Sequence, residues 1–333
     1  MRIGICVPEQ HRTTGNWVTA GRFALGLSRH GHEVRLFSPP AEGEPWEEKQ
    51  CGNPELVILI HAERCGRPWF AWAARPEIPA LVFLSGTDVN EGLADRTQAP
   101  LIEEVMARSA LLLMQNPLIL ADLRSRYPAL SPRMLDLPAG TLAGSAAWDL
   151  RASASIADGL PIFLCPAGIR PVKAVLELLE LFELLHRRHP GSFHLLFCGP
   201  CLDDAYGRRF LARLRRRPWA HWPGVIPREA MAGAMGQADL ILNHSRSESL
   251  SNALIEAASL GRPMLARDIP GNRLIVRPGE NGLLYRNEPE FLEAAEKLLL
   301  DPALRRTLSR KDEGRYGFEA EADALSAICL RFR

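Results

Sequence analysis

Two glutamates, Glu248 and Glu256, lie eight positions apart where a polar loop runs into a helix. Ser251 or Asn252 is suited to cap that helix, which leaves backbone N–H groups near Leu250 pointing outward at its positive end. Such an end binds a diphosphate. A carboxylate at Glu256 could accept hydrogen bonds from ribose hydroxyls, and Glu248 could reach a sugar beyond the phosphates. The alternative is a capped surface helix with incidental acids.

A second chemical candidate is the pair Cys198 and Cys201, which encloses Gly199 and Pro200 in a C-x-x-C sequence between an apolar run and a helix. A helix N-terminus lowers the pKa of a thiol, so a redox pair is chemically possible. A strand–Gly-Pro–helix turn also serves nucleotide binding, and we favour that interpretation. The sequence shows no second pair that would complete a zinc site, and no metal is implied.

Composition excludes several classes of protein. The net charge of +1 over 333 residues gives no reason to expect nucleic acid or an anionic membrane as the main partner. The arginines of 208–217 spread around a helix and are interpreted as a solvated face. No apolar run is long enough to span a bilayer, and seven scattered cysteines argue against a secreted disulfide framework. These features predict a cytoplasmic globular protein.

Short apolar runs alternate with helical stretches, a pattern typical of parallel sheets covered by helices on both faces. The predicted strands are Arg2–Val7, Glu33–Phe37, Glu55–Ile60, Ala80–Leu84, Ala110–Gln115, Pro161–Pro166, His194–Cys198, Asp239–Asn243 and Pro263–Ala266. The predicted helices are Trp17–His30, Pro171–Arg188, Ala205–Arg217, Ser251–Leu260 and Glu288–Leu300. The segment Pro39–Gly52 is predicted to be a surface excursion.

The length and the repeated pattern predict two Rossmann-like, doubly wound domains. An N-terminal domain would cover residues 1–145, an Ala/Ser/Gly-rich linker 146–159, and a C-terminal domain 160–315. The tail 316–333 could return to the first domain. Ligands would bind at the carboxyl ends of the strands, in a cleft that the two domains face.

The segment from Glu248 to Glu256 resembles the E-x7-E motif of retaining family-4 glycosyltransferases, which have the GT-B fold. The resemblance continues through Gly261–Ala266, Ile269–Asn272 and Asn281–Tyr285. The chain is similar in particular to the glycosyltransferase 1 domain-containing protein 1 family. The motifs that carry this similarity are Thr14–Ala20, Ser85–Glu91, Gly168–Lys173 and Leu265–Asn272. The N-terminal motifs among them are also similar to those of bacterial selenosugar synthases.

The resemblance implies a set of donor-binding residues. Arg170 and Lys173 would meet the pyrophosphate and neutralise charge on the leaving diphosphate, with Glu248 as a further catalytic residue. Glu256 would bind the ribose. The other implied donor contacts are Gly199, Pro200, Ile226, Ser249, Leu250, Ser251 and Asn252.

In the N-terminal domain, Gly15 would let the backbone approach the sugar or phosphate closely, and Asn16 could cap the following helix. Asp88 is implied as catalytic. Contacts to the acceptor are predicted for Thr87, Asn90 and Glu91. Two departures from the family pattern bear on these roles. Gly86-Thr87-Asp88 stands where many members have a histidine, and Ser249 replaces a common glycine. His11, His61 and His244 are interpreted as ordinary, partly buried histidines.

The implied function is metal-independent transfer of a sugar, with retention, from a nucleotide-sugar that we expect to be UDP-linked. No cofactor is implied beyond this co-substrate, and the acceptor is a small molecule or glycan that the sequence does not identify. Three alternatives stay open: a selenosugar or thiosugar synthase-like transferase, a nucleotide-sugar epimerase of the same fold, and a non-catalytic nucleotide-sugar-binding protein.

Overall fold

The computed structural model describes residues 1–8, 14–40, 51–72, 77–157, 159–312 and 314–333. The chain divides into two compact units. The N-terminal unit contains Met1–Gly140 and Arg315–Arg333, and the C-terminal unit contains Thr141–Gly314. Most of the predicted surface excursion, residues 41–50, lies outside the described residues, as does His11. None of the described helices combines the length and apolar character that a membrane span needs.

The N-terminal unit is built on a parallel sheet with the order β2-β1-β3-β4-β5-β6 in its described part. The central strand β3 is buried along its whole length, and alternate side chains enter different hydrophobic clusters on the two faces. A continuous apolar run is therefore required there. The strands are β1 Arg2–Cys6, β2 Glu33–Phe37, β3 Leu56–Ile60, β4 Ala80–Phe83, β5 Leu111–Met114 and β6 Met134–Asp136.

Helices cover this sheet. They are α1 Gly15–Arg29, α2 Arg67–Ala71, α3 Thr87–Asn90, α4 Ala99–Arg108 and α5 Pro117–Arg126. A single π-helical turn, Ala62–Gly66, follows β3 directly.

The C-terminal unit repeats the plan with the parallel order β12-β11-β10-β7-β8-β9 in its described part. Its strands are β7 Ile162–Pro166, β8 His194–Cys198, β9 Ala220–His221, β10 Leu240–Asn243, β11 Met264–Arg267 and β12 Gly282–Tyr285. Its helices are α6 Leu150–Ser153, α7 Val175–Arg188, α8 Asp204–Leu214, α9 Arg228–Gln237, α10 Asn252–Ser259, α11 Pro270–Arg273, α12 Glu288–Leu300 and α13 Pro302–Leu308. The order reverses at β7 and β10, where a doubly wound sheet binds its ligand.

Two predicted helix starts were wrong. The helix predicted from Pro171 begins at Val175, because Pro171–Lys173 forms a 3-10 turn and Ala174 takes a left-handed conformation with φ 48°. The first helix begins at Gly15 and is capped by Thr14, whose Oγ1 accepts a hydrogen bond from the backbone N–H of Trp17. Asn16 therefore lies inside the first turn of α1 and does not cap it.

The last helix, α14 Phe318–Cys329, packs on α1 within the N-terminal unit. Gly26 permits this packing, since a Cβ atom there would lie 2.7 Å from that of Ala322. Arg22 and Glu321 form a bidentate ion pair at this contact, and both side chains are 2% exposed. Glu321 also accepts hydrogen bonds from Gln115 Nε2 at 2.6 Å and from the Gly140 N–H at 3.0 Å. One carboxylate thus joins α14 to three other segments of the unit.

Replacing this carboxylate should destabilise the N-terminal unit. Glu321→Ala leaves the Arg22 guanidinium buried without a counter-charge, which costs about 3 kcal/mol or more. Hydrogen exchange of the amides of α1 and α14 should accelerate accordingly. The matched control is Glu319→Ala on the same helix, which breaks a 2.8 Å pair between Arg29 and a glutamate that is 68% exposed, and should change stability by less than about 1 kcal/mol. Equal effects of the two substitutions would contradict the buried-pair argument.

Candidate functional site

The loop between β10 and α10 is held in place by buried amides. Asn243, the last residue of β10, donates from Nδ2 to Ser251 Oγ at 3.0 Å and to Glu248 Oε1 at 3.2 Å. Its Oδ1 accepts from the Asn272 amide at 3.1 Å and from the Ser245 N–H at 3.1 Å. Ser251 in turn caps α10 by accepting from the Leu254 N–H at 3.4 Å. The strand end therefore fixes the start of the helix and the glutamate before it.

Glu248 has two oxygens in different situations. Oε1 accepts hydrogen bonds from Lys173 Nζ at 2.5 Å, Ser245 Oγ at 2.7 Å and Asn243 Nδ2 at 3.2 Å. Oε2 accepts no hydrogen bond from the described residues. The carboxylate is thus oriented through one oxygen and can accept donors from a ligand through the other.

Burial and the Lys173 charge act in opposite directions on Glu248, whose side chain is 10% exposed. Burial alone would raise its pKa, but the Lys173 ammonium and the three donors bring the pKa below its ordinary value. Glu248 is therefore a carboxylate at neutral pH. Burial raises the pKa of the Cys165 thiol, near the end of β7, to about 12. The charges of Lys173 and Glu248 also act on this thiol.

Arg170 precedes the 3-10 turn that follows β7, and Lys173 is the last residue of that turn. Lys173 points to Glu248, whereas the guanidinium of Arg170 has no partner among the described residues and its Nε is buried. A buried guanidinium nitrogen without an acceptor costs free energy unless a ligand supplies one. The left-handed Ala174 closes this turn, a conformation that costs an L-residue roughly 1 kcal/mol or more. The strain places Lys173 beside Glu248 just before α7 begins.

The loop after β8 lies against the loop after β7. A Cβ at Gly199, which has φ 140°, would lie 2.4 Å from the Ala167 carbonyl oxygen, so only glycine fits there. The Pro200 carbonyl accepts from the Ile169 N–H at 2.8 Å, and Gly199 N–H donates to Gly224 O at 2.9 Å. The segment carrying Ile226, which is buried, is thereby brought to the same edge of the sheet.

The environment of Cys198 argues against a redox pair. Burial raises the pKa of the Cys198 thiol strongly, and the charges of Cys165 and Glu256 raise it further. Cys201 is exposed, and its Sγ donates to the Asp203 carbonyl oxygen at 3.5 Å. A redox-active thiol needs a lowered pKa, so the disfavoured redox interpretation loses its physical basis.

Ser249 and Leu250 are held by a close backbone contact. A Cβ at Gly271, in α11, would lie 2.4 Å from the Glu248 carbonyl oxygen and 2.6 Å from that of Ser249. The Ser249 side chain is buried, while Leu250 and Asn252 are half-buried at the start of α10. The loop therefore rests directly on the turn that follows β11.

Sequence reasoning missed the residues that hold this site. Asn243, Ser245 and Asn272 were not chosen as site residues, although Asn272 lies within the Ile269–Asn272 motif. The available signal was a polar residue at the end of an otherwise apolar strand, namely Asn243 after Leu240–Leu242.

In the N-terminal unit, Asp88 serves the backbone. It is 1% exposed, and its oxygens accept N–H bonds from Ala62 and Gly86 at 2.9 Å, Val89 at 3.2 Å and Ser85 at 3.3 Å. Asp88 and Thr87 lie in the short helix α3, which follows β4. The structure thus gives Asp88 the environment of a residue that positions the loop.

Thr87 lies beside a histidine with an unusual backbone. His61 has φ 88° directly after β3, and its Nε2 lies 3.0 Å from Thr87 Oγ1. Its Nδ1 accepts from the Arg64 N–H at 3.2 Å, so in the neutral ring Nε2 carries the proton and donates to Thr87. His61 and His244 are both buried, more completely than expected. Gly15 and Glu91 are exposed, and Asn90 is half-buried.

Residues 160–301 match the family described as glycosyl transferases group 1. The chain resembles sucrose-phosphate synthase from Thermosynechococcus elongatus with a TM-score of 0.78 at 18% identity, covering 99% of this chain and 98% of that one. Anabaena HepE, solved in complex with UDP and glucose, gives a TM-score of 0.77 at 13% identity over 99% and 100% of the two chains. The family match identifies residues 160–301 as a glycosyltransferase group 1 domain, and the two parallel sheets together with these structural likenesses show the GT-B fold.

The similarity extends to one relative over nearly the full length. The chain is 26% identical over 335 residues to glycosyltransferase 1 domain-containing protein 1 of Xenopus tropicalis, covering 96% of this chain and 95% of that protein. The family resemblance stated from the motifs is confirmed by this match.

The ion pair between Lys173 and Glu248 should make stability depend on pH. Because the folded-state pKa of Glu248 is lowered, the pair stabilises the protein above the ordinary glutamate pKa, and this contribution is lost as the pH falls through the folded-state pKa. Lys173→Met should therefore destabilise the C-terminal unit by about 3 kcal/mol at pH 7 and by much less at a pH below the folded-state pKa of Glu248.

Urea unfolding of the wild type and of Lys173→Met at both pH values measures this difference. The double variant Lys173→Met/Glu248→Gln removes both charges and should recover most of the stability at pH 7. A destabilisation that is the same at both pH values would show that lost packing, and not charge, is responsible.

Proposed function

We propose that the protein transfers a sugar, with retention and without a metal ion, from a UDP-linked donor to an acceptor. The observation that carries this proposal is the half-engaged Glu248. One of its oxygens is fixed by Lys173, Ser245 and Asn243, and the other accepts no hydrogen bond from the described residues. A carboxylate held in this way can orient a sugar through its hydroxyl groups.

The diphosphate would bind between the 3-10 turn and the start of α10. Arg170 supplies a guanidinium that has no partner among the described residues, and Lys173 supplies an ammonium 2.5 Å from Glu248. The outward N–H groups of Leu250, Ser251 and Asn252 at the positive end of α10 would bind phosphate oxygens. These fixed positive groups would stabilise the negative charge that develops on the leaving UDP, which supports a mechanism that needs neither a metal ion nor another cofactor.

The nucleoside would extend along the end of β8. Gly199 and Pro200 form the loop there, Ile226 is buried, and the charge of Glu256 contributes to the raised pKa of Cys198 at the end of β8. Glu256 would accept hydrogen bonds from both ribose hydroxyls. The choice of UDP is supported by the likeness to HepE, whose solved complexes contain UDP and UDP-glucose.

In the proposed reaction, the bond between the anomeric carbon and the phosphate oxygen breaks through an oxocarbenium-like state. The acceptor oxygen forms its new bond on the same face of the sugar, and its proton passes to an oxygen of the leaving phosphate. The protein then needs no general base of its own. Its residues bind, orient and neutralise charge.

We assign the acceptor to the N-terminal unit. Thr87 receives a hydrogen bond from His61, which leaves its hydroxyl proton directed to a ligand. Asp88 holds the loop that carries Thr87, and the strained φ of His61 marks the position as functional. Asn90 and Glu91 complete the proposed acceptor surface, whereas Gly15 and Asn16 are proposed to contact the donor. All seven cysteines are free thiols, which supports the cytoplasm as the compartment.

Glu256→Ala should weaken nucleotide binding. Loss of a charged acceptor for two ribose hydroxyls should raise the Kd for UDP about tenfold or more in a calorimetric titration. Glu293→Ala, which removes an exposed glutamate of α12, is the matched control and should leave the Kd unchanged. An unaltered affinity in Glu256→Ala would overturn the ribose assignment.

Lys173→Ala should act mainly on turnover. Release of UDP from a UDP-sugar in the absence of acceptor measures departure of the leaving group, and its rate should fall roughly 100-fold or more. The Kd for UDP should rise much less, because Arg170 and the α10 terminus still bind the diphosphate. Lys297→Ala serves as the control. If affinity and rate fell by the same factor, Lys173 would be a binding residue only.

A further inference from the structure

A cavity of about 770 Å³ lies in the C-terminal unit beside the proposed donor site, since Ala174 and His244 in its lining directly follow Lys173 and Asn243. Its floor is formed where β10, β11 and β12 end, by His244, Arg267 and Tyr285. Residues of helix α7 and the start of α12 also line it, and Leu181 and Leu184 of α7 contribute apolar side chains. The volume is that of a small-molecule site.

We propose that this cavity binds a small molecule that carries a phosphate or carboxylate group on an uncharged body, with the oxyanion against Arg267. Arg267 is half-buried, and its guanidinium has no hydrogen bond or ion pair to any described residue. A half-buried cation without a counter-ion is unfavourable, and an oxyanion would satisfy it through two parallel hydrogen bonds.

The other cations of the cavity are already paired, which singles out Arg267. Each has a carboxylate within ion-pair distance: Arg246 with Glu177 at 2.6 Å, Arg187 with Glu183 at 3.2 Å, and Arg286 with Glu290 at 3.2 Å. Of the remaining acids in the lining, Glu180 is paired with Arg217 at 2.8 Å, and Glu288 is exposed. The acids of α7 therefore do not compete for the charge of Arg267.

His244 supplies a second donor on the same floor. Its Nδ1 lies 2.5 Å from the Tyr285 hydroxyl, with the two rings stacked at 15°. Burial, reinforced by the charge of Arg267, lowers the pKa of His244 to about 4, so the ring is neutral at pH 7. The phenol is the stronger acid and donates to Nδ1, which places the ring proton on Nε2. Nε2 makes no hydrogen bond to the described residues and can donate to the same oxyanion.

The N-terminus of α12 adds favourable electrostatics at the rim. Asn287 caps this helix of 13 residues and lines the cavity together with Arg286. The positive end of the helix dipole favours an anion near Arg267. Apolar side chains and the Tyr285 ring would cover the uncharged body of the ligand.

Phenyl phosphate tests the proposal, because it joins an oxyanion to an apolar ring. Calorimetric titration of the full chain should give a measurable Kd, and Arg267→Gln should raise it at least about tenfold. Arg208→Gln, an exposed arginine outside the cavity, should leave the Kd unchanged. Parallel titrations with benzoate and inorganic phosphate show whether carboxylate or phosphate is preferred and whether the ring contributes.

The donor site must be excluded as the place of binding. The double variant Arg170→Gln/Lys173→Met should retain phenyl phosphate binding and lose UDP binding, whereas Arg267→Gln should retain UDP binding, which also reports that it is folded. Loss of phenyl phosphate binding in the double variant, an unchanged Kd in Arg267→Gln, or no detectable binding of any probe to the wild type would each overturn the proposal. A failure of UDP binding alone would affect only the proposed function.

Discussion

The candidate site depends on one physical constraint, which is that a carboxylate can be buried only if other groups neutralise and orient it. Glu248 meets this constraint through Lys173, which comes from a distant turn, and through Ser245 and Asn243, which come from its own strand end and loop. Three of these contacts fall on a single oxygen. The same arrangement therefore keeps the glutamate ionised, fixes its direction and leaves its second oxygen available.

The constraint extends outward through the C-terminal unit. The side chain of Asn243, which holds Glu248, is itself oriented because Asn272 Nδ2 donates to Asn243 Oδ1. Asn272 Nδ2 also donates to the backbone carbonyl of Arg267 at 2.9 Å. Gly271 lets the loop rest against this turn. Ala174, which has a strained backbone, directly follows Lys173 in the turn after β7 that carries the lysine. The fold thus prepares the site before any ligand arrives, which reduces the reorganisation required during a reaction.

The fold class and several elements could be predicted from sequence because their signals are local. The alternating polar and apolar residues of Glu33–Leu36 and the serine before α10 each specify an element or its start through near neighbours. Strands β6, β9 and β12 were not predicted, because β6 and β9 have only three and two residues and all three lie at or near a sheet edge, where pairing with a neighbouring strand defines them.

The finer features of the site could not be predicted for a related reason. The 3-10 turn and Ala174 interrupt a stretch with good helical periodicity, and only the distant Glu248 explains why the turn is favoured. Likewise, Asp88 has the residue type of a catalyst, but four backbone N–H groups determine its environment. Motif matching identifies such residues without revealing which contacts their atoms already make.

The contact between α14 and α1 has a consequence for biosynthesis. The ribosome makes residues 1–140 first and residues 315–333 only after the entire C-terminal unit. Until then Arg22 has no counter-charge, and the surface of α1 around Gly26 lacks its cover. The N-terminal unit therefore stays incomplete while the C-terminal unit can already fold. The unit that is synthesised first is the last to complete its fold.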